Sequence, residues 1–344
     1  MRCLIYADPH WSAYSSIVRS RGNKYSTRLE NLIESINWVE EQASLNKCDS
    51  IICLGDFFDQ ASLNAEEMTA LQDIKWANMK HYFIVGNHEM GRSNLEFSST
   101  HLFNLCPNTE IIEDVKYIEN IVFIPYILEE NRKSLDEYLP NGPRSNLVIM
   151  SHNDIKDVRM GPYVSTTGFS QTEIMNNCKL FINGHLHNHM ILNNKIVNLG
   201  NITGQNFSED ANRYKHQCLL YDTITDVFNL IENPYSFKFY KFEFNKNKTI
   251  EEIKERLNKV RNNSIITVKV DISKENEVKE YISTNKNIIE SRVLLQIDTS
   301  NDELENVSLE DLSIDHIQKF IEYIKSEVGT SELIVDELNR IAEG

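Results

Sequence analysis

The sequence has no apolar run approaching the ~20 residues that cross a bilayer. Its first residues, Met1-Arg2-Cys3-Leu4-Ile5-Tyr6-Ala7, reach Asp8 too soon to read as a secretory signal. The six cysteines (Cys3, Cys48, Cys53, Cys106, Cys178, Cys218) are scattered and make no C-x-x-C pair. They read as reduced core residues of a cytoplasmic protein. The Asn-x-Ser/Thr triplets, such as Asn201-Ile202-Thr203, are then chance matches rather than glycan sites. There is no internal repeat and no low-complexity tract. Bases are scarce: 35 Lys and Arg face 51 Asp and Glu, a net charge of −16, which at first argues against a nucleic-acid partner.

The deficit is uneven: residues 1–230 hold 28 acids and 19 bases, net −9, and the tail is denser in acid. Residues 298–344 hold 13 acids and 3 bases, whereas residues 231–297 hold 10 acids and 13 bases, net +3. Charge therefore neither excludes nor supports DNA. What is present is ordinary globular material, 41% hydrophobic and 25% charged over 344 residues, enough for about two domains with real cores.

Up to about residue 230, short apolar runs alternate with helical patterns. Arg2–Ala7, Asp49–Leu54, Tyr82–Val85, Ile121–Ile124, Leu147–Met150, Leu180–Ile182, Ile196–Leu199 and Cys218–Tyr221 read as strands. Leu29, Leu32, Ile33, Ile36 and Val39 recur at helical spacing, and a second helix is expected over 64–80 behind an Asn64/Glu67 capping box. The pattern predicts an α/β protein, layered as a two-sheet sandwich flanked by helices. A small α+β cap domain of strands and helices follows from near Pro234, and then a helical tail with the stripe Ile314, Ile317, Ile321, Ile324, Val328. The expected division is 1–232, 233–298 and 299–344.

Chemically capable residues stand just after the strand ends, where α/β sheets build sites. These are Asp8-x-His10, Gly55-Asp56-x-x-Asp59, Gly86-Asn87-His88-Glu89, Ser151-His152 and Gly184-His185-x-His187. Each alone is weak: a turn, or a satisfied histidine. All five in order are not. Mixed Asp, His and Asn donors without a thiolate suit Mn²⁺, Fe²⁺ or Zn²⁺, and seven of them are too many for one ion and about right for two. A metal pair activates a water and neutralises a phosphoryl group during in-line displacement.

Together these motifs resemble the calcineurin-like metallophosphoesterase superfamily, over residues 1 to about 225. The resemblance implies one metal on Asp8, His10, Asp56 and His187, and a second on Asp56, Asn87, His152 and His185, with Asp56 as bridge. It implies a catalytic His88 acting as general acid, with Asp59 as the natural group to orient it. Glu89 receives no direct role.

Within the superfamily the sequence is similar to the nuclease subunit of SbcCD-type double-strand-break repair complexes. Gly55-Asp56-Phe57-Phe58-Asp59 carries the aromatic these nucleases favour, and the segment Asn198–Gly204 with Phe207-Ser208-Glu209 resembles theirs, though Asn201 stands where a proline turn is usual. The order phosphoesterase, cap, helical tail is also theirs. Phosphatases of the superfamily have Asp-Arg-Gly where Asp59-Gln60-Ala61 stands. The short length is similar to that of bacteriophage recombination subunits, which would work in a bacterial cytoplasm. The resemblance thus implies a Mn²⁺ DNA exonuclease/endonuclease with two divalent ions. Its partners would be DNA, a coiled-coil ABC-type ATPase and a second copy of itself, with no membrane. Lys238, Lys241, Lys246 and Lys248 are expected to supply phosphate contacts, and the acidic tail to dock the ATPase. The alternative is a phosphoesterase of small molecules or proteins on the same site.

Overall fold

In a computed structural model that describes residues 1–14, 23–160 and 163–295, the apolar runs become two six-stranded sheets. The first has the strand order Val227–Glu232, Gln217–Asp222, Arg2–Tyr6, Ser50–Cys53, Lys80–Ile84, Thr109–Ile112. Its last four strands are parallel and its first two antiparallel additions. The second has the order Met190–Leu192, Ile196–Asn198, Leu180–Asn183, Val148–Ser151, Ile121–Ile124, Lys116–Ile118. Here the four central strands are parallel and each edge strand is antiparallel.

Strand alternation explains the layering. Cys3 and Ile5 pack with Phe123, Val148 and Ile182 between the two sheets. Leu4 and Tyr6, one residue out of step, pack on Leu29, Leu32 and Ile36 of the helix Thr27–Leu45. On the far side, Val122, Ile149 and Phe181 cover Phe169 and Ile174, the latter from the helix Gln171–Asn177. Strands buried on both faces are why the sequence shows continuous apolar runs rather than alternation. The α/β sandwich flanked by helices is the architecture expected.

The helix expected over 64–80 is shorter. Its capping box forms, with Asn64 accepting from Glu67 N, but the helix spans only Ala65–Ala70. By Ile74 the backbone is extended, and Trp76 turns its ring in among Phe57, Phe83 and Phe103. Tertiary packing of one aromatic overrides local propensity.

The cap is a three-stranded parallel sheet, Lys238–Glu243, Ser264–Val270 and Ile288–Leu295. Parallel neighbours need crossovers, and the helices Ile250–Leu257 and Glu275–Thr284 supply them. Phe242, Phe244, Ile266 and Val268 pack against Ile253, Leu257, Val278 and Ile282 of those helices. The opposite sheet face carries Lys241, Thr267 and Arg292 in register. Met1–Leu295 forms one compact unit. The tail expected over 299–344 lies outside the described residues. Among the described residues no helix is long and apolar enough to cross a membrane.

Candidate metal centre

Each predicted motif occupies the loop after a strand's C-terminal end, and the two sheets bring those loops together. Asp8 and His10 follow Arg2–Tyr6, Asp56 follows Ser50–Cys53, and Asn87 and His88 follow Lys80–Ile84. His152 follows Val148–Ser151, and His185 and His187 follow Leu180–Asn183. The first sheet thus contributes Asp8, His10, Asp56 and Asn87, and the second contributes His152, His185 and His187.

The backbone bends sharply to do this. Asp8, His10, Asp56 and His185 all have left-handed φ, between +48° and +70°. Glycines allow the loops to close. A Cβ at Gly86 would lie 2.1 Å from Asp56 Oδ1, and one at Gly55, itself at φ +106°, would lie 2.3 Å from His152 Nδ1.

Three donor groups converge: Asp8 with His10 and His187; Asp56 with His152 and His185; and His10 with Asp56 and His88. His10 Nε2 and His187 Nε2 are 3.2 Å apart. Asp56 Oδ2 is 3.1 Å from His152 Nε2 and 3.8 Å from His10 Nε2. Asn87 Oδ1 lies 3.3 Å from His152 Nε2 and 3.0 Å from His185 Nδ1. All seven expected ligands are therefore in one cluster, with Asp56 between its two halves. Asp8 and Asp56 are almost wholly buried. Two buried carboxylates, an amide oxygen and four imidazoles facing a common centre fit a pair of divalent cations.

Burial and the close charges shift the cluster's groups in both directions. Burial works to raise Asp56, but His152, then His10 and His88, overcome it and hold the carboxyl far below the usual range. Burial works to lower His152, yet Asp56 and Asp8 push it up to about 9. His187 is depressed to about 4 by burial and by the neighbouring His10.

Asp59 differs from expectation. Its carboxylate Oδ1 lies 3.1 Å from His10 Nδ1 and 3.7 Å from His88 Nδ1. It reaches His88 chiefly through its carbonyl, which accepts from Nδ1 at 3.0 Å. One residue therefore serves both imidazoles.

Two contributions were not apparent from the motifs. Glu89, fully buried, accepts from Phe58 N at 3.1 Å and from Gly86 N at 2.8 Å, tying two ligand loops together. Burial and the Asp56 charge push it up to about 8 against those two donors. Buried amides hold the histidine loops: Asn183 Nδ2 donates to Asn153 O and Asn198 Oδ1, and Asn198 Nδ2 donates to Leu186 O and Asn188 O. Their positions 153, 183 and 198 all adjoin strand ends, but nothing in the spacing announces the pairing. Of the lysines expected to meet phosphate, Lys238 is buried and donates to Pro234 O and Ser236 O, and Lys248 pairs with Glu252. Lys241 lines the cleft beside the centre.

No curated protein matches the chain. Among solved structures, it is similar to TT1561 of Thermus thermophilus, at 10% identity and a TM-score of 0.37, over 67% of this chain and 98% of that one. It is also similar to the Pseudomonas putida nuclease MPE, at 14% identity and a TM-score of 0.27, over 63% and 84% respectively. The family model of calcineurin-like phosphoesterases matches residues 1–189, a span that contains every residue of the cluster. The chain belongs to the calcineurin-like phosphoesterase family and is by that membership a metal-dependent phosphoester hydrolase.

Proposed function

We propose that the chain is a two-metal, Mn²⁺-dependent DNA phosphodiesterase, the nuclease subunit of an SbcCD-type recombination and repair complex. The observation that carries the DNA reading is the cleft. A space of about 1000 Å³ runs from His185 and His187 to the cap sheet, where Lys241, Thr267 and Lys269 face it. That is more room than a small phosphoester needs, and the centre opens directly into it. The acids Glu209, Asp210 and Glu243 also line it, and Lys269 pairs with Glu243 at 2.9 Å, so the wall is mixed rather than purely cationic.

In this reading one ion is held by Asp8, His10, Asp56 and His187, and the other by Asp56, Asn87, His152 and His185. Bound there, two divalent ions supply Lewis acidity at the phosphoryl group and a water nucleophile at neutral pH. His88 is exposed. Because its Nδ1 donates to the Asp59 carbonyl, its Nε2 is the nitrogen left to give a proton to the departing oxygen. The loop after Asp56 runs Asp59-Gln60-Ala61, so it offers a neutral amide rather than an arginine to a phosphate monoester.

The test uses the metal-loaded full chain with linear duplex DNA, single-stranded DNA and p-nitrophenyl phosphate. Mn²⁺-dependent loss of DNA with little monoester hydrolysis is expected. Monoester cleavage with intact DNA would instead support the small-molecule or protein phosphoesterase. The ATPase partner is tested by adding the coiled-coil ATPase with ATP, which should raise the DNA rate.

A further inference from the structure

Two buried imidazoles of the cluster have one nitrogen at the centre and the other tied back to the protein. His10 presents Nε2 and anchors Nδ1 on the Asp59 carboxylate at 3.1 Å. His152 presents Nε2 and anchors Nδ1 on Leu54 O at 2.7 Å. His185 is turned the other way round. It presents Nδ1 to Asn87 Oδ1 at 3.0 Å, and its Nε2 faces Asp154 Oδ1 at 3.4 Å.

Asp154 is itself fixed. Ser165 Oγ donates to its Oδ1 and Thr167 Oγ1 to its Oδ2, each at 3.3 Å. Its carbonyl accepts from Phe169 N at 3.1 Å. The returning chain passes so close that a Cβ at Gly168, where φ is +95°, would lie 2.1 Å from that carbonyl oxygen. The carboxylate is thus a rigid acceptor, held by a loop that begins two residues after His152 and ends before the helix Gln171–Asn177.

We infer that Asp154 is a positioning residue for the metal centre: it accepts Nε2–H of His185 and so keeps the Nδ1 lone pair turned toward Asn87 and Asp56. An imidazole can present a lone pair on one nitrogen only when the proton sits on the other, and the acceptor on the far side decides which. Without Asp154, His185 is free to carry its proton on Nδ1 or to rotate, and the half of the centre formed by Asp56, Asn87, His152 and His185 loses a pre-set donor. The other half, with His10 already anchored by Asp59, does not depend on it. The inference rests on the two-metal reading above.

The experiment is a calorimetric titration of MnCl₂ into the metal-stripped full chain, with the thermal midpoint of the metal-free protein measured in parallel. The wild-type chain should take two equivalents. Asp154→Ala should weaken one of them by about ten- to a hundredfold, the usual cost of removing such an acceptor, and leave the other and the metal-free midpoint unchanged. Asp154→Asn, of the same size and still able to accept Nε2–H through its amide oxygen, should recover most of the loss. Two equivalents bound by Asp154→Ala at wild-type affinity would overturn the inference. So would equal weakening of both together with a lower metal-free midpoint, since Asp154 would then only brace the 165–169 loop. If Asp154→Ala does not fold, Asp154→Leu, which fills the same space without an acceptor, decides: weakening of one equivalent supports the acceptor role, and wild-type affinity at both, or equal weakening of both, overturns it. A wild-type chain that takes up no Mn²⁺ would overturn the metal centre itself, a failure readily told apart from these.

Discussion

His88 is the exposed imidazole of the cluster, with a side chain 42% accessible, while His10 and His152 beside it are buried. Its backbone N–H donates to Asp56 Oδ1 at 3.0 Å and its Nδ1 is held by the Asp59 carbonyl, while Asn87 beside it reaches the other histidines. His88→Ala should therefore abolish hydrolysis while the purified protein keeps both metal equivalents; elemental analysis that finds one lost would make His88 a ligand. Asp56 is the opposite case. Its two oxygens face His152, His10 and the His88 amide, so Asp56→Asn should be the most damaging ligand change, with metal content and DNA hydrolysis falling together. Near wild-type rates with two bound metals would remove the bridging role. That these residues would come together was legible in the sequence because each is an Asp, Asn or His just after an apolar run. Their supports were not. Glu89 stands beside His88 in the sequence, but its partners Phe58 and Gly86 lie 31 and 3 positions away, and a carboxylate that only accepts backbone N–H groups leaves no pattern of its own. Asp59 was legible as a helper of His88, yet its side chain turns to His10, a choice made by tertiary geometry.

Among the elements, strands that carry apolar side chains on both faces were easy to read, and Ile121–Ile124 is found with the expected bounds. The cap was read as strands and helices without its connectivity, since whether neighbouring strands run parallel depends on crossovers that periodicity does not encode. Its first strand contains a testable anomaly. Burial, and then the nearby Arg261 charge, depress the Lys238 ammonium from 10.5 to about 8. The unfolded chain therefore binds more protons than the folded one between about pH 8 and pH 10.5, and the contribution of this group to stability rises with pH across that window. Lys238→Met should flatten the rise; its lost hydrogen bonds to Pro234 O and Ser236 O are absent at every pH and cancel from the slope. Denaturant midpoints of both proteins from pH 7.5 to pH 10.5 would show this, and parallel curves would refute it.

For the molecule as a whole, the most densely acidic stretch of chain, residues 298–344, lies apart in sequence from the metal-ligand motifs. Removal of the chain after Thr299 takes away 12 of the 51 acids and none of the cluster. If the stripe Ile314, Ile317, Ile321, Ile324, Val328 docks the ATPase, each side chain buried there is worth roughly 1.5–3 kcal/mol, enough in sum for a stable contact. The truncated protein should then hydrolyse bis-p-nitrophenyl phosphate at the full-length rate but fail to co-purify with the coiled-coil ATPase. A truncated chain that still co-purifies and still responds to ATP would assign docking to another surface.

The left-handed backbone at Asp8, His10, Asp56 and His185 has a consequence for how such a site can change over generations. Outside glycine, the residue types that tolerate this conformation best are Asn, Asp and His. Those are also the types that offer short, rigid oxygen or imidazole donors to a divalent ion. At these four positions the requirements of conformation and of coordination admit nearly the same small alphabet. A β-branched residue is shut out by the backbone, and glycine keeps the turn but brings no donor. Drift at the centre is thereby confined to exchanges among three letters, which alter charge and metal preference while leaving the loops in place.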